Sequence, residues 1–306
     1  MAAEPLSVRV GVGWGLFDPE PRAERLWQAV DAMEQIGYDS IWLSDTATRP
    51  DLAPLPALAA IAARTTRLKL GTGVLVVPPR NPVLLARELA TIDLLSDGRL
   101  LPAAGLGIDE PAEREAMGVD GSERVARLEE SLAVIRMLWS GDPVTFEGRF
   151  TQLTGVRLSP RPKRRKLEIW LGGHAPKALE RIGRIGDGWL GSFVSPEDFA
   201  RKADAIRAAA AAANRSIDED HYGMTLFAAR AETDIPAGVR ALVARRPGLD
   251  IGDSVAVSAA GLRRLLERFR AVGATKFVVF PLAADDPEGW LAELFEQAVA
   301  PVEAAH

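Results

Sequence analysis

LKLGTGVLVVPPRNPVLLARELATIDLLSDGRLLPAAGLG, residues 68–107, reads as strand, helix, strand. LKLGTGVLVV (68–77) is a nearly continuous apolar run, the pattern of a strand covered on both faces. Asn81 offers a side-chain cap, and Pro82 suits the first helical position, where no backbone N–H is needed. The helix then runs to about Leu95 and stops near Gly98. RLLPAAGLG (99–107) follows as a second buried strand. Two buried strands joined by a helix make a parallel unit, because parallel neighbours need a long crossover.

The same alternation continues in both directions. Upstream, SVRVGVG (7–13) and YDSIWLSD (38–45) are strands, separated by a helix over 21–37 and followed by an Ala-rich helix over 54–64. Downstream, a long amphipathic helix spans 121–139, with Leu128, Leu132, Ile135 and Leu138 as its buried stripe. LEIWLGG (167–173), GWLGSF (188–193), HYGMTLFAA (221–229) and TKFVVFPL (275–282) complete eight strands. Helices over 176–185, 196–213, 258–272 and 290–299 separate or follow them. Eight strands alternating with helices in 306 residues predict one domain, residues 1–306, folded as a (β/α)8 TIM barrel. A doubly wound open sheet is the alternative. The segments 108–120, 140–166 and 230–257 are too long for ordinary connections and read as insertions shaping a pocket or an interface.

Composition removes several function classes. Net charge is −5, from 37 basic and 42 acidic residues, so there is no electrostatic footprint for nucleic acid or an acidic membrane. The absence of cysteine excludes disulfides, zinc–thiolate sites, iron–sulfur clusters and cysteine nucleophiles. The histidines are His174, His221 and His306; they form no HxH or HExxH pair, so no metal ligand is assigned. No GxSxG elbow supports a serine triad. With no basic-then-apolar leader and no apolar run of spanning length, the expected compartment is the cytoplasm.

In a barrel the active site lies past the C-terminal strand ends. Those positions hold Trp14 and Phe17, then Asp45 and Thr46, then Thr72, Gly73 and Val74, then Leu106 and Gly107. Further on come Gly172, Gly173, His174 and Ala175, then Trp189 and Phe193. The rim is apolar and aromatic, suited to a flat ligand. LGGHAPKALERIGRIGDGW (171–189) adds two adjacent glycines between a strand and a helix, which is a site for an anion. A flat pocket with an anion site and few reactive side chains points to chemistry borrowed from a cofactor.

Residues 68–107 resemble the core signature of the bacterial luciferase-like oxidoreductases, in the order LGTGV, RNPVLLARELATIDLLSDGRL and GLG. LSPRPKRRKLEIWLGGHAPKALERIGRIGDGW (158–189) resembles the family's second block. The likeness covers residues 7 to 200 well and the remainder loosely. It implies a barrel enzyme using the deazaflavin coenzyme F420 or, alternatively, FMN, and the helix wording favours the deazaflavin branch. It also implies a cofactor phosphate on Gly172, Gly173, His174 and Ala175, with Gly188 and Trp189 lining the tail. Thr72, Gly73 and Val74 would lie against the ring, with a cis peptide at Gly73–Val74, and Leu106 and Gly107 would complete the cofactor site. Asp45 is the candidate catalytic residue and a further cofactor contact; Trp14, Phe17, Thr46 and Phe193 are candidates for the substrate pocket.

Two departures bear on function. Asp45-Thr46 stands where many deazaflavin members carry Asp-His, and Ile108 stands where a sugar-phosphate dehydrogenase would carry Glu. Sugar-phosphate oxidation is therefore not expected. Hydride transfer with a small organic substrate is the leading reading. An FMN monooxygenase fed by a separate reductase and a non-catalytic cofactor-binding protein are the rivals. A homodimer is implied by the resemblance only.

Overall fold

The computed structural model describes residues 6–15, 23–49, 51–282 and 286–305. Its strands in chain order are β1 (Arg9–Trp14), β2 (Ser40–Leu43), β3 (Lys69–Thr72), β4 (Leu75–Val76), β5 (Leu100–Leu101) and β6 (Ala103–Gly105). These are followed by β7 (Val144–Glu147), β8 (Gln152–Val156), β9 (Trp170–Gly172), β10 (Gly188–Ser192), β11 (Tyr222–Ala229), β12 (Val255–Val257) and β13 (Lys276–Pro281). The helices are α1 (Ala23–Ile36), α2 (Pro54–Arg64), α3 (Pro82–Leu95), α4 (Pro111–Met117), α5 (Arg124–Ser140) and α6 (Pro176–Ile185). Then come α7 (Pro196–Ala212), α8 (Ala237–Ala244), α9 (Ala259–Ala271), α10 (Pro287–Leu294) and, after a π-helical turn at Phe295–Val299, α11 (Ala300–Ala304).

All eight expected strands are present, and two of them are broken. The third divides into β3 and β4 at a cis peptide between Gly73 and Val74; the fourth divides into β5 and β6 at Pro102, which has no N–H for a ladder. Every pairing around the ring is parallel. β1 pairs with β2, β2 with β3, β3 with β5, β4 with β6, and β6 with β9; β9 pairs with β10, β10 with β11, β11 with β13, and β13 with β1 again. With each broken strand counted once, the order runs one to eight and closes on itself. The ring is a TIM barrel, and the open-sheet alternative falls.

Thr72 bridges the two breaks. Its hydroxyl donates to Ala103 O (2.8 Å) and accepts from Ala103 N–H (2.9 Å), replacing ladder bonds the backbone cannot make there. Asn81 caps α3 as expected, accepting from Val83 and Leu84 N–H. Both bounds of α2 match the expected helix; α5 starts three residues later than expected, and the last helix starts earlier, at Pro287.

Side chains alternate across each strand. Val10 and Val12 join the outer core between sheet and helices, as do Ile41, Leu43, Leu70, Leu171 and Trp189. Trp42, Ala103, Leu190, Val278 and Phe280 form the inner core. Trp42 lies where Gly11 and Gly71 leave room, and a Cβ at either glycine would overlap its indole. Its Nε1 donates to Ser40 Oγ (2.9 Å).

A buried charge cluster closes the N-terminal end. Lys276 is inward-facing and buried, and it pairs with Asp39; Lys69 Nζ reaches the other Asp39 oxygen at 2.8 Å. Burial alone would raise the Asp39 carboxyl, but Lys276 and Lys69 outweigh it and hold it down at about 2. Burial pushes the neighbouring Glu303 carboxyl up, although it accepts Val10 N–H at 2.7 Å.

The three insertions carry structure of their own. Segment 108–120 contains α4, whose buried Glu113 accepts from Ala47 N–H (3.1 Å), Thr48 N–H (2.9 Å) and the Thr48 hydroxyl (2.5 Å). It thereby latches the loop after β2. Segment 140–166 contains the β7–β8 hairpin, and 230–257 contains α8 and β12, the latter pairing with β11. No helix among the described residues is long and apolar enough to cross a membrane.

Candidate active site

The strand-three break builds one wall of the C-terminal mouth. Gly73 N–H donates to Leu43 O (2.8 Å), and the Ser44 hydroxyl donates to Gly73 O (3.2 Å), so the C-terminal end of β2 holds the glycine of the cis peptide on both sides. Val74 bulges toward β6 and β9. A Cβ at Gly105 would lie 2.6 Å from Val74 Cγ2, and one at Gly172 would lie 3.0 Å from Val74 Cγ1. The two glycines are the cradle that admits the valine. Val74 thus abuts the glycine turn, giving one continuous surface.

Asp45 takes a supporting place. Its Oδ2 accepts from Val76 N–H (2.9 Å) and from Arg80 Nη2 (2.8 Å), and its side chain is only 10% exposed. The expected catalytic carboxylate is therefore committed to pinning the segment after the bulge. Oδ1 makes no hydrogen bond among the described residues. A positioning role predicts a specific result for Asp45→Asn. Losing the charge-assisted bond to Arg80, a bond worth about 1.5–3 kcal/mol, should weaken cofactor binding by roughly tenfold. The pH profile of kcat should keep both limbs. Unchanged affinity with a lost pH limb would instead place Asp45 at the reacting atoms.

The glycine turn opens onto the start of α6. Gly173 has φ +142, and a Cβ there would lie 2.8 Å from Ala178 Cβ, so only glycine brings the chain so close to α6. Ala175 is the N-cap residue of α6 and supplies no side-chain cap, and Pro176 follows at the first helical position. No side chain caps the first turn of α6, where Ala178 and Leu179 N–H return to Ala175 O (2.8 and 3.0 Å), and the positive end of the helix faces the turn. Lys202 Nζ donates to His174 O (3.3 Å). Burial, then the positive charges of Arg246 and Lys202, push the half-buried His174 imidazole below its usual range. It is neutral at pH 7 and available as a hydrogen-bond donor. Arg246 Nε is buried without a hydrogen-bond partner. An anion at this turn would meet two cations and a helix terminus with no competing carboxylate in these contacts.

Four of the expected site residues turn away from the mouth for one geometric reason. Trp14, Thr72, Leu106 and Trp189 occupy the outward parity of their strands. Trp14 and Leu106 pack on the outer core, and Thr72 is fully buried with its hydroxyl spent on Ala103. Trp189 is also fully buried; it stacks on Phe199 at 4.8 Å, and its Nε1 donates to Gly173 O (2.9 Å). It supports the turn from behind rather than lining a tail. Gly188 pairs with Trp170, two register positions below the level of Gly172, and so lies in the lower barrel. Gly107, at φ +81, sits against Val76 in the wall. Thr46 donates its hydroxyl to Asp51 Oδ2 (2.9 Å) within the loop that Glu113 latches. Phe17 lies outside the described residues.

Phe193 does face other aromatics at the rim. Its ring lies 5.5 Å from Phe227, which lies 5.6 Å from Phe280, so strands six, seven and eight present an aromatic ladder. Phe227, Ser44, Arg80, Glu113, Lys202 and Arg246 were not singled out from sequence. Strand parity was the available signal for Ser44 and Phe227. The others reach the site only through tertiary contacts.

The family model for the luciferase-like monooxygenases matches residues 9–275. The chain belongs to the luciferase-like monooxygenase family. A phthiodiolone/phenolphthiodiolone dimycocerosates ketoreductase of Mycobacterium sp. (strain JLS) is 32% identical, over 81% of this chain and 73% of that protein. A 5,10-methylenetetrahydromethanopterin reductase of Methanolobus tindarius is 31% identical, over 76% and 74% respectively. An F420-dependent glucose-6-phosphate dehydrogenase of Amycolatopsis mediterranei is 36% identical over half of each chain. Among solved structures, the F420-dependent tetrahydromethanopterin reductase of Methanopyrus kandleri superposes with a TM-score of 0.78 at 19% identity, covering 97% of this chain and 99% of that one. The oxygenating constituent of 3,6-diketocamphane monooxygenase from Pseudomonas putida, bound to FMN, gives 0.76 at 18% identity, covering 97% and 98%. Both structures share the luciferase-like barrel fold. The protein is an oxidoreductase of a family with F420-dependent and FMN-dependent members.

Proposed function

We propose that this luciferase-like protein binds the deazaflavin coenzyme F420 and uses it for hydride transfer to or from a small organic substrate. The observation that carries the reading is the junction of the Val74 bulge with the Gly172–Ala175 turn. It joins a hydrophobic ring support directly to an anion anchor. The fit has independent support in the uncapped start of α6 and the unpartnered Arg246 Nε. When bound, the deazaflavin supplies a carbon, C5, that accepts or donates hydride. The relatives named as reductases and as an F420-dependent dehydrogenase support this branch over oxygen chemistry.

The chain's own residues would act by binding and orientation. Gly172, Gly173, His174 and Ala175 would hold the phosphate with Lys202 and Arg246. Val74, held by Ser44 and Leu43 through Gly73, would support one face of the ring. Phe193, Phe227 and Phe280 would exclude water from the substrate side. Ile108 and the committed Asp45 argue against sugar-phosphate oxidation, despite the dehydrogenase among the relatives.

The second reading is an FMN monooxygenase, favoured by the fold shared with the FMN-bound camphane enzyme. Titrating the purified protein with F420 and with FMN, in oxidised and reduced forms, separates the two by fluorescence and absorbance. The expected result is saturable binding of F420 at least tenfold tighter than FMN. Preference for FMN, with oxygen uptake in the presence of a reductase, would replace this proposal. Binding of neither cofactor in either form would remove both readings.

A further inference from the structure

A second group of chemistry-bearing side chains lies at the opposite, N-terminal mouth. Glu168 lies two residues before the start of β9, and Asp218 and His221 belong to the turn before β11. One ligand atom from each can be chosen so that all three lie within 4.8 Å of one another. Glu168 and His221 also line a cavity of about 290 Å³ that reaches the floor of the barrel at Trp42 and Trp170, with Lys69 and Lys276 also on its walls.

The orientation of the imidazole sets this group apart from a solvated acidic patch. His221 Nδ1 lies 2.8 Å from the Asp187 carbonyl oxygen. A carbonyl only accepts, so Nδ1 carries the proton and donates. In the neutral ring Nε2 then presents a lone pair. It faces Glu168 Oε2 and Asp220 Oδ1, each at 3.6 Å. That spacing is beyond hydrogen-bond reach, and two carboxylates facing one ring nitrogen call for positive charge between them, which a proton on Nε2 or a bound cation supplies. Ligand atoms around a tetrahedral zinc, with bonds near 2.1 Å, are themselves separated by about 3.4 Å. A metal-bound histidine usually donates its far ring nitrogen to a backbone carbonyl or a carboxylate in this way, which fixes its tautomer. The Asp187 carboxylate is held by Arg136 Nη2 and Ile169 N–H, so the carbonyl that orients His221 is itself fixed.

We propose that Glu168, Asp218 and His221 form a divalent-cation site of the zinc class, with Asp220 beside it. Bound there, the ion ties the start of strand five to the turn entering strand seven. It acts on the barrel floor, remote from the mouth that holds the glycine turn, and is structural. Nothing in it depends on which flavin the other mouth takes. The sequence pattern offered no paired histidines because one ligand lies fifty residues before the others, as read from their numbers.

The test uses the full chain stripped with chelator and titrated with Zn2+ by calorimetry, and with Co2+ by visible absorption. One ion per chain is expected, with a rise of several degrees in Tm on binding. Asp218→Asn, at an exposed position, and Glu168→Gln should each weaken binding at least tenfold without lowering the metal-free Tm. His174→Gln should leave it unchanged. Absence of stoichiometric binding, retention of binding in both carboxylate variants, or its loss on substituting His174 would each overturn the proposal.

Discussion

Gly172→Asp should abolish cofactor binding at concentrations that saturate the wild type. The new Cβ would press on Val74 Cγ1 at 3.0 Å, a contact the valine can relieve only by shifting the bulge proposed as the ring support. The larger effect is electrostatic. A carboxylate about 5 Å from a bound phosphate, at an effective dielectric near 20, costs about 3 kcal/mol, or a loss on the order of 100-fold. Gly172→Ala carries the steric part alone and should lose less than tenfold. Fluorescence titration of both variants, with matched thermal melts to establish folding, separates the two contributions. Wild-type affinity in the aspartate variant would mean that no anion binds at the turn, and the phosphate assignment would fall with it.

Asp39→Asn should lower stability more than any substitution at the mouth. It leaves Lys276 buried and without its charge partner. Breaking one side of a buried ion pair costs about 3–5 kcal/mol. In a chain of this size that corresponds to a fall in Tm of roughly 6–15 °C. The pH dependence has a definite sign. The folded Asp39 carboxyl is held at about 2, below its ordinary value of 3.8. Its contribution is fully present above that ordinary value and is lost as pH falls toward 2. The variant should therefore lose stability at pH 7 and show a smaller further loss between pH 4 and pH 2. Equal melting of variant and wild type at pH 7 would show that the cluster does not hold the barrel floor. The double variant Asp39→Leu/Lys276→Met, which removes both charges, should recover much of the loss.

The barrel was readable because its signals are local. Runs such as LKLGTGVLVV and TKFVVFPL need no partner to be recognised as buried strands, and Asn81-Pro82 marks a helix start by its own chemistry. The glycine turn was readable as a strand–helix junction for the same reason, since two glycines before Pro176 announce bare backbone at a helix start. Which side chains face the mouth was less accessible. Trp14, Thr72, Leu106 and Trp189 stand at the right strand ends, yet parity turns them outward, and a one-residue displacement reverses that outcome.

The sequence by itself determined the eight alternating strand–helix units and their order, and the family likeness placed the cis bond at Gly73–Val74; closure of the ring came with the pairing of β13 to β1. Hydrophobic period, capping chemistry and family likeness are all written along the chain. Only the tertiary structure decided that Asp45 is held by Arg80, that Trp189 supports the glycine turn from behind, and that Arg246 comes near His174. It alone brought Lys276 to Asp39 and Glu168 to His221. These outcomes depend on distances between segments tens to hundreds of residues apart. Such distances are set when the sheet curls and closes, and no local pattern of residues encodes them.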